Sequence, residues 1–189
     1  ALYWANVTPG IDRIVFQTDV TLSSSILSPS ETLLIDGQSF TLNGGGYSGF
    51  QISSSSLTFA IQNLTLTHFT TIDNQFSGGV LGINPGALDI NFRLYNVDIT
   101  GNTDDGGWGN GMIDLSNIQQ GAYIFDLDQV NIHDNTQSGG MNEEGVIKLF
   151  VSAQQTLSLS ITNSSIYNNI GANAANGSIG VAGLYLAAS

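Results

Sequence analysis

Four of the fifteen acidic residues of this 189-residue chain form two adjacent pairs, and these pairs are its most obvious chemical groups. Asp104 and Asp105 are adjacent, and Glu143 and Glu144 form a second pair further along. Carboxylate oxygens are the hard donors that Ca²⁺ prefers, so loops that brought the two pairs together would suit calcium. The chain contains neither an EF-hand loop nor a calcium-binding nonapeptide repeat. We therefore predict a solvated acidic rim with no resident metal or cofactor, and we take all four carboxylates as candidate binding residues.

Trp108 is the fifth candidate binding residue. Two glycines precede it, and Gly109 and Asn110 follow it. An aromatic side chain in such a setting can stack on the face of a sugar or insert into a protein partner. The other interpretation is that the indole folds back over its own chain.

Basic residues are scarce, and their scarcity excludes several classes of function. Arg13, Arg93 and Lys148 face fifteen acidic residues, and the net charge is −12. Such a chain repels phosphate backbones, so we expect no nucleic-acid partner. The three cations are far apart in sequence, so a lyase reaction, which needs a basic proton acceptor, is not expected. The chain has no cysteine, and no apolar run approaches the ~20 residues of a membrane span, so we expect no membrane insertion by this segment.

The elements that must position these residues follow from a repeat of about 33 residues. Asn63, Asn96, Gln129 and Asn163 are 33, 33 and 34 positions apart. Alternate positions before them are apolar, which indicates strands, and the fixed recurrence indicates stacked coils. The three predicted inward columns are Leu57–Ile90–Tyr123–Leu157, Phe59–Phe92–Phe125–Leu159 and Ile61–Leu94–Leu127–Ile161.

Each coil from Leu57 onward is expected to contain three strands and a polar loop. In the second full repeat these are residues 90–94, 97–100 and 111–115, with residues 101–110 as the loop. The loops should emerge together on one edge of the stack. The predicted columns of the third strand are Leu81–Ile113–Ile147–Ala182 and Ile83–Leu115–Leu149–Leu184.

Asparagine recurs at two places in the coil. Asn tolerates the left-handed backbone of a sharp corner better than other non-glycine residues. Its side-chain amide can also hydrogen-bond to the next coil, ~4.8 Å away. We predict one such column at Asn63 and its equivalents, and a second one formed by Asn102, Asn135 and Asn169.

The repeat resembles a known family of surface proteins. Ile99-x-x-Asn102 and its equivalents, each followed by a Gly-rich loop and Gly-Met or Gly-Val, resemble the Phe-x-x-Asn and Gly-Gly-Ala-Ile repeats of polymorphic outer-membrane proteins and related autotransporter passengers. Isoleucine replaces the phenylalanine here, and the first repeat has Phe69 in place of the asparagine. The resemblance implies a pectin-lyase-like β-helix and an exported, surface-exposed protein with an adhesive or scaffolding role.

A second resemblance concerns the run Asn102-Thr103-Asp104-Asp105. It is similar to the Asn-Thr-Asp and Asp-Asp motifs of β-helical polygalacturonases, in which the carboxylates act as general acid and base. Those enzymes also carry Gly-His-Gly and Arg-x-Lys motifs, and this chain has neither. We therefore predict no catalytic residues. A glycoside hydrolase that uses Asp104 and Asp105 is the alternative.

Together these observations predict an all-β, right-handed parallel β-helix in a single domain, 1–189. Residues 1–56 would form shorter N-terminal coils and a cap, and residues 57–189 four long repeats. The predicted function is that of a non-catalytic extracellular or cell-surface protein, an adhesin or an assembly subunit. Its partner would be a protein, a glycan or another copy of the chain.

Overall fold

The structure is a computed structural model that describes most of the chain. The described residues are Tyr3, Val7, 10–26, 28–52, 56–71, 79–83, 89–104, 111–115, 121–137, 146–151, 155–171 and 184–188. Among them, no helix has the length and apolar character that crossing a bilayer requires.

The described residues form seventeen strands. Their bounds are β1 (Asp12–Val15), β2 (Val20–Thr21), β3 (Leu33–Asn43), β4 (Phe50–Ile52), β5 (Leu57–Thr67), β6 (Thr70–Thr71), β7 (Leu81–Ile83), β8 (Ile90–Thr100), β9 (Thr103–Asp104), β10 (Ile113–Leu115), β11 (Gly121–His133), β12 (Thr136–Gln137), β13 (Ile147–Val151), β14 (Gln155–Thr162), β15 (Ser165–Tyr167), β16 (Ile170–Gly171) and β17 (Leu184–Ala188).

The strands belong to three sheets, and the paired strands run parallel. The large sheet has the order β1-β3-β5-β8-β11-β14, with β2 beside β3 and β15 beside β11. The second sheet is β17-β13-β10-β7-β4 and the third is β16-β12-β9-β6. Successive coils therefore visit the large, third and second sheets in the same order, which is the strand order of a parallel β-helix. The all-β parallel fold is confirmed, and the right-handed sense that parallel crossovers favour stays a prediction.

In the first three long repeats the first two predicted strands form one continuous strand, whereas in the last repeat they are the separate strands β14 and β15. In β8, the inward residues are Ile90, Phe92 and Leu94 before the corner and Val97 and Ile99 after it. The alternation shifts by one at the corner because Asn96 is left-handed, with φ 50°. Tyr95 and Asn96 both face outward at this corner, so the apolar residues face the core in both halves of the strand.

The second sheet differs from the prediction at its C-terminal end. Ile113 pairs with Leu81 and Ile147, as predicted, but Ile147 pairs with Leu184 rather than with Ala182. The predicted alignment was wrong by two residues. A shift of two keeps the same side chains on the same face, so the period-2 pattern fits both alignments.

The core contains the predicted columns of the first three long repeats. In the last repeat Leu157 and Leu159 are only partly buried, and Ile161, which was predicted to face inward, is exposed. Phe59, Phe92 and Phe125 are buried and contact one another along the column: the first pair is stacked with ring centroids 6.0 Å apart, and the second is tilted by 55° at 5.8 Å. Phe50, from the second sheet, packs on Phe59 at 5.2 Å and joins the two sheets at the N-terminal end of the column. This packed interior holds the outward faces of the sheets rigidly in place.

Candidate binding face

The structure describes one of the five candidate binding residues. Asp105, Trp108, Glu143 and Glu144 lie outside the described residues, as do most positions of the long loops expected on one edge. Asp104 is the second residue of β9, and its side chain is 0% exposed. It was expected in a solvated loop, and that expectation was wrong.

The position of Asp104 follows from strand alternation. Asn102 is buried, so Asp104, two residues later, also points into the coil. Strand pairing aligns Asp104 with Thr71 and Gln137, which are buried as well. A carboxylate inside the coil cannot belong to an exposed acidic rim or reach an external polysaccharide. Within the described ranges, no three His, Asp or Glu side chains lie close enough together to hold a metal ion.

Asn102, Asn135 and Asn169 form a hydrogen-bonded ladder inside the coil. The backbone N–H and Nδ2 of Asn102 both donate to Oδ1 of Asn135, at 3.0 and 2.9 Å. Asn135 donates in the same way to Oδ1 of Asn169, at 3.1 and 2.9 Å. In the first repeat, the N–H of Phe69 donates to Oδ1 of Asn102. These amides bind the stack together and are not directed at solvent.

The left-handed residue of this second turn is the one before each asparagine. Gly101 and Asp134 have φ values of 64° and 53°, and Asn168 has 54°. The prediction that Asn102 and its equivalents are themselves left-handed corner residues was therefore wrong. The prediction that their amides bond along the column is confirmed.

The first asparagine column does consist of left-handed corner residues. Asn63, Asn96, Gln129 and Asn163 have φ values between 50° and 57°. Nδ2 of Asn96 donates to Oδ1 of Asn63 at 2.9 Å. Gln129 interrupts this column, because its Nε2 donates to the Tyr95 hydroxyl instead, at 3.3 Å.

Beside this column lies an outward surface that we call the polar face. It comprises the outward positions of the second halves of the long strands, in two adjacent columns. Strand pairing aligns their members coil by coil, ~4.8 Å apart. The columns are Thr65–Asp98–Asn131–Ser165 and Thr67–Thr100–His133–Tyr167.

His133 is the centre of the polar face. Its Nε2 lies 2.9 Å from Oδ1 of Asp98, and its Nδ1 lies 2.7 Å from Oδ2 of Asp134. Partial burial of the ring lowers the pKa of His133. The hydrogen bond with Asp134 and the charges of Asp98 and Asp134 outweigh that effect, so the pKa lies above its usual value. The imidazole is therefore held at both nitrogens, and its charged form is favoured.

Tyr167 extends this arrangement with an exposed aromatic ring. It stacks on His133 with centroids 4.8 Å apart and an interplanar angle of 8°. The side chain is 45% exposed. A shallow groove of about 180 Å³ lies on the same sheet, lined by Asp98, Asn131 and the corner residues Asn63, Asn96 and Gln129, and Tyr167 is not part of its lining. The surface thus combines a fixed aromatic ring with amide and carboxylate groups.

The sequence placed His133 in the correct outward column but missed its partners. It was taken as a simple surface residue, whereas its ring is in contact with Asp98, Asp134 and Tyr167. The repeat contained the necessary signal. Asp98 and Asn131 share a column, and Asn131 lies two residues before His133, so Asp98 is the diagonal neighbour of the histidine.

Comparison with known proteins gives no relative for this chain: no protein-family model matches it, and searches of curated proteins and of solved structures return no match. The resemblance to outer-membrane and autotransporter repeats therefore stays a prediction. The polar face is the basis for a functional assignment.

Proposed function

We propose that this chain is a non-catalytic extracellular or cell-surface β-helix that acts as an adhesin and binds a glycan on its polar face. The observation that carries this proposal is the His133–Tyr167 ring pair on the outer surface of the large sheet. Stacking on the histidine orients the tyrosine ring before a ligand arrives, so little side-chain freedom is lost on binding. An exposed aromatic ring beside amide and carboxylate groups suits a sugar, whose faces are apolar and whose edges carry hydroxyls.

The charge of the chain indicates the kind of glycan. With a net charge of −12, the surrounding field repels anionic polysaccharides. Asp98 and Asp134 bring two carboxylates to the face, and the His133 imidazolium balances only part of that charge. A neutral glycan is therefore the proposed ligand.

The burial of Asp104 argues against the hydrolase alternative. In a glycosidase both carboxyl groups must flank the scissile bond, and this side chain is enclosed in the coil. The test is incubation with polygalacturonate, pectin and neutral glycans, with and without calcium. Release of sugar that is abolished by Asp104→Asn would overturn the non-catalytic assignment.

The binding test uses two tyrosines of equal exposure. Tyr167 and Tyr95 are 45% and 46% exposed, and both lie on the outer surface of the large sheet. Tyr95 belongs to the first half of β8, outside the polar face. A panel of neutral glycans is screened, and binding of the best ligand is measured by calorimetry. We expect Tyr167→Ala to weaken binding at least about tenfold and Tyr95→Ala to leave it unchanged.

Two results would contradict the proposal. One is that no glycan binds, and the other is that the two alanine variants lose affinity equally. Trp108→Ala serves as a further variant, because a loss confined to that change would place binding on the loop edge instead.

A further inference from the structure

The two ring nitrogens of His133 each face a carboxylate. Nε2 lies 2.9 Å from Oδ1 of Asp98, one coil earlier, and Nδ1 lies 2.7 Å from Oδ2 of Asp134. Only the imidazolium carries a hydrogen on both nitrogens, so only the charged ring donates to both carboxylates at once. A neutral ring has a single N–H, and its other nitrogen directs a lone pair at a carboxylate oxygen. The arrangement therefore suits the charged state of His133 alone.

The other described contacts of the ring are poor substitutes for the second bond. The Thr100 hydroxyl lies 3.4 Å from Nδ1, which is long for a hydrogen bond. Tyr167 packs face to face on the ring, with an interplanar angle of 8°. Among the described residues, the charged or titratable side chains that face the ring are therefore Asp98 from β8, Asp134 from the turn after β11 and Tyr167 from β15.

The two carboxylates differ in their access to water. The Asp98 side chain is 37% exposed and its Oδ1 is buried, whereas the Asp134 side chain is 58% exposed. A buried oxygen that loses its donor stays unsatisfied, but an exposed carboxylate can turn to water at little cost. When His133 loses a proton, we therefore expect the bond to Asp98 to remain and the contact with Asp134 to be lost. The ring is then held at one nitrogen only, and its stacking with Tyr167 loosens.

We propose that the protonation state of His133 controls ligand binding on the polar face, which binds in mildly acidic solution and loses affinity as the imidazole becomes neutral. This inference rests on the proposed glycan binding and adds its regulation. Deprotonation weakens binding in two ways. Tyr167 loses its fixed orientation, and Asp98 and Asp134 remain on the face without the imidazolium that balanced part of their charge.

The environment of His133 favours the charged form at a higher pH than that of an unperturbed histidine. Partial burial acts to lower the pKa of the ring, but the bond with Asp134 and the charges of Asp98 and Asp134 outweigh it. Binding should thus persist below this raised pKa and weaken as the pH rises through it.

The first measurement needs no glycan. Nuclear Overhauser effects between the His133 and Tyr167 rings report their contact, and they are followed from about pH 5.5 to about pH 9, the range in which histidine ordinarily changes its charge. We expect them to weaken with the midpoint of the His133 titration. The matched control is His68→Gln, because the other histidine of the chain contacts the Thr67 hydroxyl instead of a carboxylate. His68→Gln should leave the transition in place.

The second measurement is the affinity for the best neutral glycan, determined by calorimetry at the two ends of this pH range. We expect binding at least about threefold weaker at the upper end. Asp134→Asn should bind with nearly the same affinity at both ends, because a carboxamide accepts a hydrogen bond from Nδ1–H and donates one to a bare Nδ1. His133→Gln should also remove the pH dependence, and His68→Gln should keep it.

The outcomes separate this inference from the proposed function. A glycan that binds equally well at both ends of the range, or better at the upper end, leaves the proposed function standing and overturns the inference. If no glycan binds at any pH, the proposed function fails and the ring contact alone decides. A pair that opens as His133 titrates supports the inference as a property of the polar face, and a pair that stays in contact overturns it.

Discussion

The two asparagine columns share a residue type and a spacing, yet they stabilise the stack in different ways. In the outer column, Asn63 and Asn96 adopt left-handed backbone conformations and hydrogen-bond to each other at the surface. In the inner column, Asn102 and Asn135 are buried and bond to the backbone and side chains of adjacent coils. The outer asparagines mainly serve as residues that tolerate the left-handed backbone of the corner, whereas the inner amides hydrogen-bond to buried backbone groups. Burial therefore decides what the same side chain contributes.

The largest expected effect is on the inner column. Asn135→Ala removes the acceptor for the Asn102 N–H and the donor to the Ile99 carbonyl, and both groups are buried. Each buried polar group left unsatisfied costs about 1–3 kcal/mol, so we expect a total loss of roughly 3–5 kcal/mol. Urea unfolding of the variant measures it.

The control is Asn131→Ala, in the same coil. This asparagine is exposed and accepts a hydrogen bond from Ser165 at the surface. We expect a loss below about 1 kcal/mol. Equal losses in the two variants would mean that burial does not distinguish the inner amides from outward ones.

A smaller effect on the free energy of unfolding is expected from the charge of Asp36, at the end of the outer column. Oδ1 of Asp36 accepts from Nδ2 of Asn63 at 3.3 Å, and Oδ2 lies 2.8 Å from Arg13. Burial of the carboxyl acts to raise its pKa, but the bonds from Arg13, the Gln38 N–H and Asn63 outweigh it and lower the pKa from 3.8 to about 2. A lowered folded-state pKa stabilises the protein above pH 3.8, and that stabilisation is lost as the pH falls through about 2.

The measurement compares the unmodified chain with Asp36→Asn between pH 6 and pH 2. We expect the unmodified chain to be more stable by on the order of 1–2 kcal/mol near neutrality. The difference should shrink as the pH falls. A difference that is constant with pH would mean that the carboxylate charge does not stabilise this end of the column.

Asn96, in the middle of the outer column, tests how much the left-handed backbone conformation costs another residue. Asn96 has φ 50°, so Asn96→Ala places a Cβ in the left-handed region and also removes the bond to Asn63. We expect a loss of about 1 kcal/mol. Asn96→Gly removes the steric cost and should be the more stable of the two variants, although glycine usually weakens a strand. Thermal unfolding compares them, and the reverse order would show that the cost of glycine in a strand exceeds the cost of a left-handed alanine.

The smallest expected effect concerns the turn before the inner column. Asp134 is the left-handed residue there and contacts Nδ1 of His133. Asp134→Asn keeps a residue that tolerates this conformation but removes the charge, so the pKa of His133 should fall. NMR titration of the imidazole measures this shift. An unchanged pKa would mean that Asp134 does not hold the histidine in its charged form.

The same residue predicts a weak dependence of stability on pH. The folded-state pKa of His133 is raised, so its stabilising contribution is present below the unfolded pKa and is lost as the pH rises through the folded value. The contribution should be about 0.5 kcal/mol or less, since the pair with Asp134 is largely solvated. His133→Gln should abolish this part of the pH dependence of unfolding.

Much of the fold could be predicted because the length of the sequence repeat sets which residues of neighbouring strands pair. The 33-residue spacing that aligned Phe59, Phe92 and Phe125 in sequence is the spacing at which their strands pair. The outward column containing His133 and Tyr167 followed in the same way. Asp104 was misplaced because its polarity was taken as a sign of a loop. Counting alternate residues from Asn102 places it inside, but the burial of Asn102 is itself known only from the structure.

The sequence by itself determined which residues of the long strands face the core. A slip by one residue would turn every apolar column of these strands to the solvent, so the alternation determines which face of each strand is buried. The tertiary structure decided the pairing of Ile147 with Leu184, the burial of Asp104 and the contacts of His133. These depend on the path of the chain between strands and on which side chains meet from different coils. Local alternation restricts the face on which a residue lies, but packing across coils selects its neighbours.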